Sequence, residues 1–323
     1  MGGYSFGSGG PTWNGIPMIG GLPVTYGTYY FVDYDNGSDG NTGKSSTKAF
    51  KTLSKANDSV TTNKHDVVLL SGYSAHVLTE MLSITKNRVH FIGLGGPASH
   101  YGQRSRVTMG VTTATANTAM VKNTGVGNTF TGIKFASDDT LTQGVDCFAE
   151  GGEYTKFYGC EFYKSTHLGV SAASELLLNG DSCQFYNCTF GSLVDTVTDN
   201  YIRPAVRLAR EVITGKVCRD CYFENCLFWK KAGGTETQFV HAAGATDVER
   251  MLMFKDCTFI NAKLGAALPA HAVGCAAAQT EGNIILKNCT AVRCTIMAEA
   301  SVAIYVDGAV PTFASTGVAK LTA

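Results

Sequence analysis

The chain has 323 residues, 44% of them apolar, and its 26 basic and 26 acidic side chains cancel to a formal net charge of zero. With no long run of either sign, the chain lacks the basic stripe that a phosphate-tracking, nucleic-acid-binding surface needs. No apolar run approaches the length of a membrane span, and the glycine, aromatic and β-branched content favours strands and turns over helices.

Residues 1–27 are glycine-rich, with Pro11, Pro17 and Pro23 set among Tyr4, Phe6, Trp13, Ile16 and Met18. Such a segment cannot form a core alone, yet it is too apolar for an ordinary solvated tail. It reads as an extended arm whose apolar residues are partner contacts, ordered either on another subunit or along its own domain. Its first residues carry neither the charged nor the apolar region of a secretory signal. The expectation is therefore synthesis and folding in a host cytoplasm.

Residues 28–58 look like a cap. Tyr30-Phe-Val-Asp33 is a strand, the run to Gly43 is a turn built from Gly, Asp and Asn, and Ala49–Ala56 is a short helix. His65–Gly72, Ser83–Leu94 and Ser105–Met109 are the next strand candidates.

From residue 130 one phrase recurs. It appears as Phe130-Thr-Gly-Ile-Lys-Phe135, Phe157-Tyr-Gly-Cys-Glu-Phe162, Phe185-Tyr-Asn-Cys-Thr-Phe190, Phe223-Glu-Asn-Cys-Leu-Phe228, Phe254-Lys-Asp-Cys-Thr-Phe259 and Leu286-Lys-Asn-Cys-Thr-Ala291. Its cysteines lie 28 to 38 residues apart. A period of this size marks stacked units, each too small to bury its own apolar face. Period-two alternation holds on both sides of the third position, so the flanking Phe and Cys share one face only if the chain bends there. Gly132, Gly159, Asn187, Asn225, Asp256 and Asn288 occupy that position, and these residue types enter the left-handed backbone region at least cost. One strand, a sharp bend and another strand, once per turn, make a coil of parallel strands with Phe and Cys stacked in internal columns.

This pattern, together with the opening from Tyr30 to Ala56, resembles the right-handed parallel β-helix of the pectate-lyase-like superfamily across about residues 28–300. The resemblance implies an all-β solenoid of about eight coils with a short N-terminal capping helix, an extended N-terminal arm and a non-repeat C-terminal tail at 301–323. That tail would cover the last coil or pair with a neighbouring chain. Eleven cysteines is an odd number, and Cys218-Arg-Asp-Cys221 has no second metal-ligand pair, so buried reduced thiols are expected and no metal or other cofactor.

Members of this superfamily that cut polysaccharides use clustered carboxylates. The loop candidates are Asp138, Asp139, Asp195 and Asp199, with Asp146, Glu150, Glu153, Glu175 and Asp181 also weighed. Ile202-Arg203-Pro204 lacks the middle residue of the Arg-x-Pro element of pectate lyases. None of the seven histidines lies in a metal-binding or nucleophile motif. The interval from Cys188 to Cys226 is the longest, and its excess falls in residues 196–215, which hold Arg203, Arg207 and Arg210. An insertion in a solenoid maps to a loop, often on the binding side, which makes these arginines partner-contact candidates.

The resulting expectation is a bacteriophage virion protein, a capsid decoration or spike component. It would form a homo-oligomer, taken as a trimer, and contact other virion proteins such as the major capsid protein. The alternatives are a tailspike-like polysaccharide lyase or glycoside hydrolase, and a non-catalytic module that binds a host surface glycan.

Overall fold

The computed structural model describes residues 27–72, 75–95, 105–110, 119–137, 146–164, 173–197, 202–211, 214–232, 237–263, 268–275, 280–299 and 303–307. Beyond these lie three short strands, Tyr4–Gly7, Gly10–Trp13 and Ile16–Pro17, which form a small antiparallel sheet of their own. Tyr4, Phe6, Trp13 and Ile16 lie on those strands, whereas Met18 lies outside the described residues.

The body is a parallel coil with three faces. A ten-stranded first sheet runs from Tyr29–Val32 to Ile304–Val306, and second and third sheets of eight strands each complete eight full turns. Every pairing between coils is parallel, which short hairpins cannot build, so each coil crosses all three faces before returning. The sequence phrase accounts for two strands and one bend per turn. The structure adds a third strand, exemplified by Asp146–Glu150 and Ser174–Leu178, that the phrase does not contain.

The bend between the first two sheets falls where the sequence places it. Gly132, Gly159, Asn187, Asn225, Asp256 and Asn288 all have φ between 50° and 61°. A second left-handed series, Gly127, Tyr154, Ser182 and Asp220, turns the chain from the third sheet back into the first. Beside it, Val126, Glu153, Asp181 and Arg219 bridge from coil to coil.

Inside, the first-sheet row Phe91–Phe130–Phe157–Phe185–Phe223–Phe254 and the second-sheet row Phe135–Phe162–Phe190–Phe228–Phe259 are in register and almost wholly buried. Phe185 and Phe223 stack with centroids 4.4 Å apart and planes 6° from parallel. Removing one such ring costs about 3–5 kcal/mol through lost burial and a residual cavity. The third sheet closes the core with Val121, Phe148, Leu176, Val206, Val240 and Val273.

All eleven cysteines are free, and only Cys289 is more than marginally exposed. The phrase thiols also serve the bend: Sγ of Cys188, Cys226 and Cys257 donate to the carbonyls of Tyr186, Glu224 and Lys255, two residues back across the turn, at 3.3–3.5 Å. A thiol thus fills the corner as a small apolar group and still meets a carbonyl that the bend turns inward.

At the N-terminal end, helix Leu53–Ser59 buries Leu53 and Ala56 against the first coil, and the Thr52 hydroxyl caps it by accepting from the Lys55 N–H at 3.1 Å. At the other end, the tail expected to leave the repeat contributes the tenth first-sheet strand, Ile304–Val306, paired with Asn283–Lys287. Residues 308–323 of the tail lie outside the described residues.

Candidate functional site: the outer face of the third sheet

Side chains alternate across a strand, so the residue between each inward pair on the third sheet points away from the core. Register aligns these as Lys122, Ala149, Leu177, Arg207, His241 and Gly274 on consecutive coils. Two cations, an imidazole, a leucine and two small residues thus lie in one row, about 4.8 Å apart from coil to coil.

Each polar member is held by a partner. Lys122 Nζ lies 3.2 Å from Glu211 Oε1. Arg207 Nη2 donates to Asp146 Oδ2 at 2.6 Å, while the Ser174 hydroxyl donates to the other oxygen of the same carboxylate. Asp146 is buried, and desolvation pushes its carboxyl above the ordinary range while the neighbouring Arg207 guanidinium pulls it down. His241 Nδ1 contacts Gln238 Oε1 at 2.7 Å, and burial lowers its imidazole below the usual value. Gly274 makes that contact possible, because a Cβ at this position would sit 2.5 Å from the Gln238 amide.

The structure corrects the reading of residues 196–215 as a loop. Thr196 and Val197 continue a nine-residue strand of the second sheet, and Val206–Leu208 is a strand of the third. Arg203 is buried with φ of 37°, Arg207 lies on the sheet face, and only Arg210 is exposed. Arg210 acts as a clamp: its guanidinium donates to Thr246 Oγ1 and the Thr246 carbonyl at 3.1 Å, to the Gly215 carbonyl at 3.3 Å and to Glu281 at 3.1 Å. The long interval therefore holds a strand and a tie between coils.

Asp138, Asp139 and Asp199 lie outside the described residues, and Asp195 sits on the far half of the strand Thr189–Val197. The other carboxylates weighed from the sequence are engaged. Glu150 is sealed in the core, where Asn123 Nδ2 donates to both its oxygens at 2.9 and 3.0 Å and the Gly152 N–H donates at 2.7 Å. Glu175 receives Lys230, and Asp181 pairs with Arg219 at 3.2 Å. Among the described residues, no group of three or more His, Cys, Asp or Glu side chains is placed to hold a metal ion. The sequence reading missed the Lys122–Arg207–His241 row, because its members share a face only through coil-to-coil register.

Solved structures share this architecture. A rhamnogalacturonan lyase superposes with a TM-score of 0.61 at 15% identity, over 87% of this chain and 73% of that one. A pectate lyase gives 0.59 at 13%, over 89% and 80%. The pectin methylesterase of Aspergillus niger gives 0.56 at 14%, over 88% and 85%. The fold is the right-handed parallel β-helix. At these identities the likeness fixes the β-helix and leaves its function open. No protein-family model matches the sequence, and no curated protein does. Among the described residues, no helix of the β-helix is long and apolar enough to cross a membrane.

Proposed function

We infer that this β-helix is a structural component of a virion, a capsid decoration or spike element that assembles as a homotrimer and contacts other virion proteins. The observation that carries the reading is a second apolar cluster on the outside of the rod. Val67, Leu69 and Ile92 face away from the core on the first sheet and are themselves buried, with the half-buried Tyr29, Phe31 and Leu94 packed against them as the partly exposed rim. Beside them opens a cavity of about 370 Å³ whose lining includes Phe31, Leu69, Leu94, Asp33 and Ser71. The glycine-rich apolar arm leads directly into Tyr29–Val32, so it is rooted at this surface. The accessible part of this face is Tyr29, Phe31 and Leu94, and an apolar rim beside an apolar arm suits contact between copies better than contact with a soluble substrate. The buried free thiols fit folding in a reducing compartment.

Light scattering on the full chain and on a chain starting at residue 28 tests the assembly, and antibody labelling of virions tests the location. The reading expects a trimer that dissociates without the arm, and label on the particle. A monomeric full chain, or unlabelled virions, would overturn it.

The polar third-sheet row supports a second reading, in which a polysaccharide lies along its half-buried members Lys122 and Arg207. Incubation with bacterial capsular and O-antigen polysaccharides separates the outcomes. New reducing ends or unsaturated uronates mean cleavage, and retention without cleavage means a binding module.

A further inference from the structure

Cys160, Cys188, Cys226, Cys257 and Cys289 each stand one residue after the first bend, and the residues that follow them are register partners on successive second-sheet strands, so the five thiols form one column. The first four are at most 2% exposed, whereas Cys289 is half-buried. The column is therefore sealed at Cys160 and open at Cys289. At the open end the Cys257 and Cys289 thiols are hydrogen-bonded to one another. The Thr290 N–H donates to the Cys257 carbonyl at 3.0 Å and the Asp256 N–H to the Lys287 carbonyl at 3.0 Å, which fixes the two cysteines side by side.

Two residues in parallel register keep their Cβ atoms about 4.8 Å apart, beyond the roughly 3.5–4.5 Å that a disulfide spans. A soft ion that takes two thiolates in line, at roughly 2.3 Å from each, needs sulfurs roughly 4.6 Å apart. The spacing of the coils thus opposes a sulfur–sulfur bond and suits a sulfur–metal–sulfur bridge. A tetrahedral ion would need further ligands, and among the described residues no third His, Cys, Asp or Glu completes such a group. Cys226 touches Cys257 from the preceding coil, on the side away from Cys289, so it lies in line with the pair and does not close around the same point. This is also the coil where the stacked rings end: Leu286 and Ala291 stand in the rows that Phe254 and Phe259 occupy one coil earlier.

We propose that Cys257 and Cys289 form a two-coordinate site for a soft monovalent cation, of which cuprous copper is the biological example. Two S–H bonds break, two sulfur–metal bonds form and two protons leave to solvent. No oxidation state changes, so no oxidant or reductant is consumed. The ion ties the last two cysteine-bearing coils together where ring packing has given out. The site stands independently of the virion reading.

The test uses the full-length, reduced protein and silver(I) alone, a soft cation of the same charge that keeps its oxidation state. Silver at about ten times its Kd should slow labelling of Cys289 by a thiol reagent about tenfold. Cys257→Ser removes the second sulfur and should abolish that protection at the same silver concentration, whereas Cys160→Ser, at the sealed end of the column, should keep it. X-ray absorption on the wild-type protein with one equivalent of silver needs no variant, and it should show two sulfurs and no other ligand. An unchanged labelling rate, protection that survives Cys257→Ser, or a silver shell with nitrogen, oxygen or a third sulfur would each overturn the proposal. If Cys257→Ser does not fold, the wild-type labelling rate and absorption spectrum decide it.

Discussion

Asn225 donates its side-chain amide to Oδ1 of Asn187, one coil away, at 2.6 Å. Both residues stand at the bend with φ of 52° and 53°, so each supplies a tolerated left-handed backbone and a link along the rod. Asn225→Ala removes both, and the loss should be about 1–3 kcal/mol in chemical denaturation. Asn225→Gly restores the backbone freedom alone and should recover about half of it. Equal losses for the two variants would mean that the left-handed bend contributes nothing.

Two arginines from the same interval should behave differently. Arg207→Ala leaves the buried carboxylate of Asp146 without its cation and should cost about 3–5 kcal/mol. Arg210→Ala breaks an exposed pair with Glu281, worth about 0–1 kcal/mol, together with its ties to Thr246 and Gly215. Urea midpoints of the two variants rank these losses, and a larger loss at Arg210 would contradict the placement of Arg207 on the sheet face.

Stability should fall on the alkaline side because of Glu150. Burial raises its carboxyl to about 8 from an ordinary 4.5, against the hydrogen bonds from Asn123, Gly152 and Thr155 that lower it. The folded state then keeps a proton that the unfolded chain releases above pH 4.5, so this stabilisation is whole below 4.5 and lost as the pH rises through 8. Glu150→Gln, which mimics the protonated group and cannot titrate, should flatten the decline. Parallel profiles for wild type and variant between about pH 5 and pH 9 would exclude Glu150 as the cause.

Thiol labelling should be selective. All the cysteines except Cys289 are buried and closed to a reagent; the hydrogen bond with Cys257 and partial burial push the Cys289 thiol up as well, so exposure alone sets the order of labelling. A thiol-specific reagent should therefore modify Cys289 in the native protein and reach the others only on unfolding. Counting modified cysteines by intact mass checks this, and a native protein that takes up label at several sites would contradict the closed column.

The first bend was legible in the sequence because its chemistry is local. Gly, Asn and Asp recur where the backbone must turn left-handed, and Phe and Cys recur beside it. The second bend was not, since Tyr154 and Ser182 are poor candidates for that conformation and are held there by bridges such as Glu153–Asp181, formed with residues a coil away. The third sheet escaped for a related reason. Its strands are mostly three to five residues long and share no phrase, so their register comes from the two sheets already stacked. Arg207 illustrates the cost of that blindness: its surplus spacing suggested a loop, whereas its strand pairs with Leu176–Leu178 on one side and Val240–Ala242 on the other.

The hydrogen bonds that join coil to coil run along the rod, while the covalent backbone winds across it. A lateral push is therefore met by the backbone itself. A pull on the two ends loads the ladder one rung at a time, so the rod should peel coil by coil under tension. It is stiff against blows from the side and yields in steps when stretched.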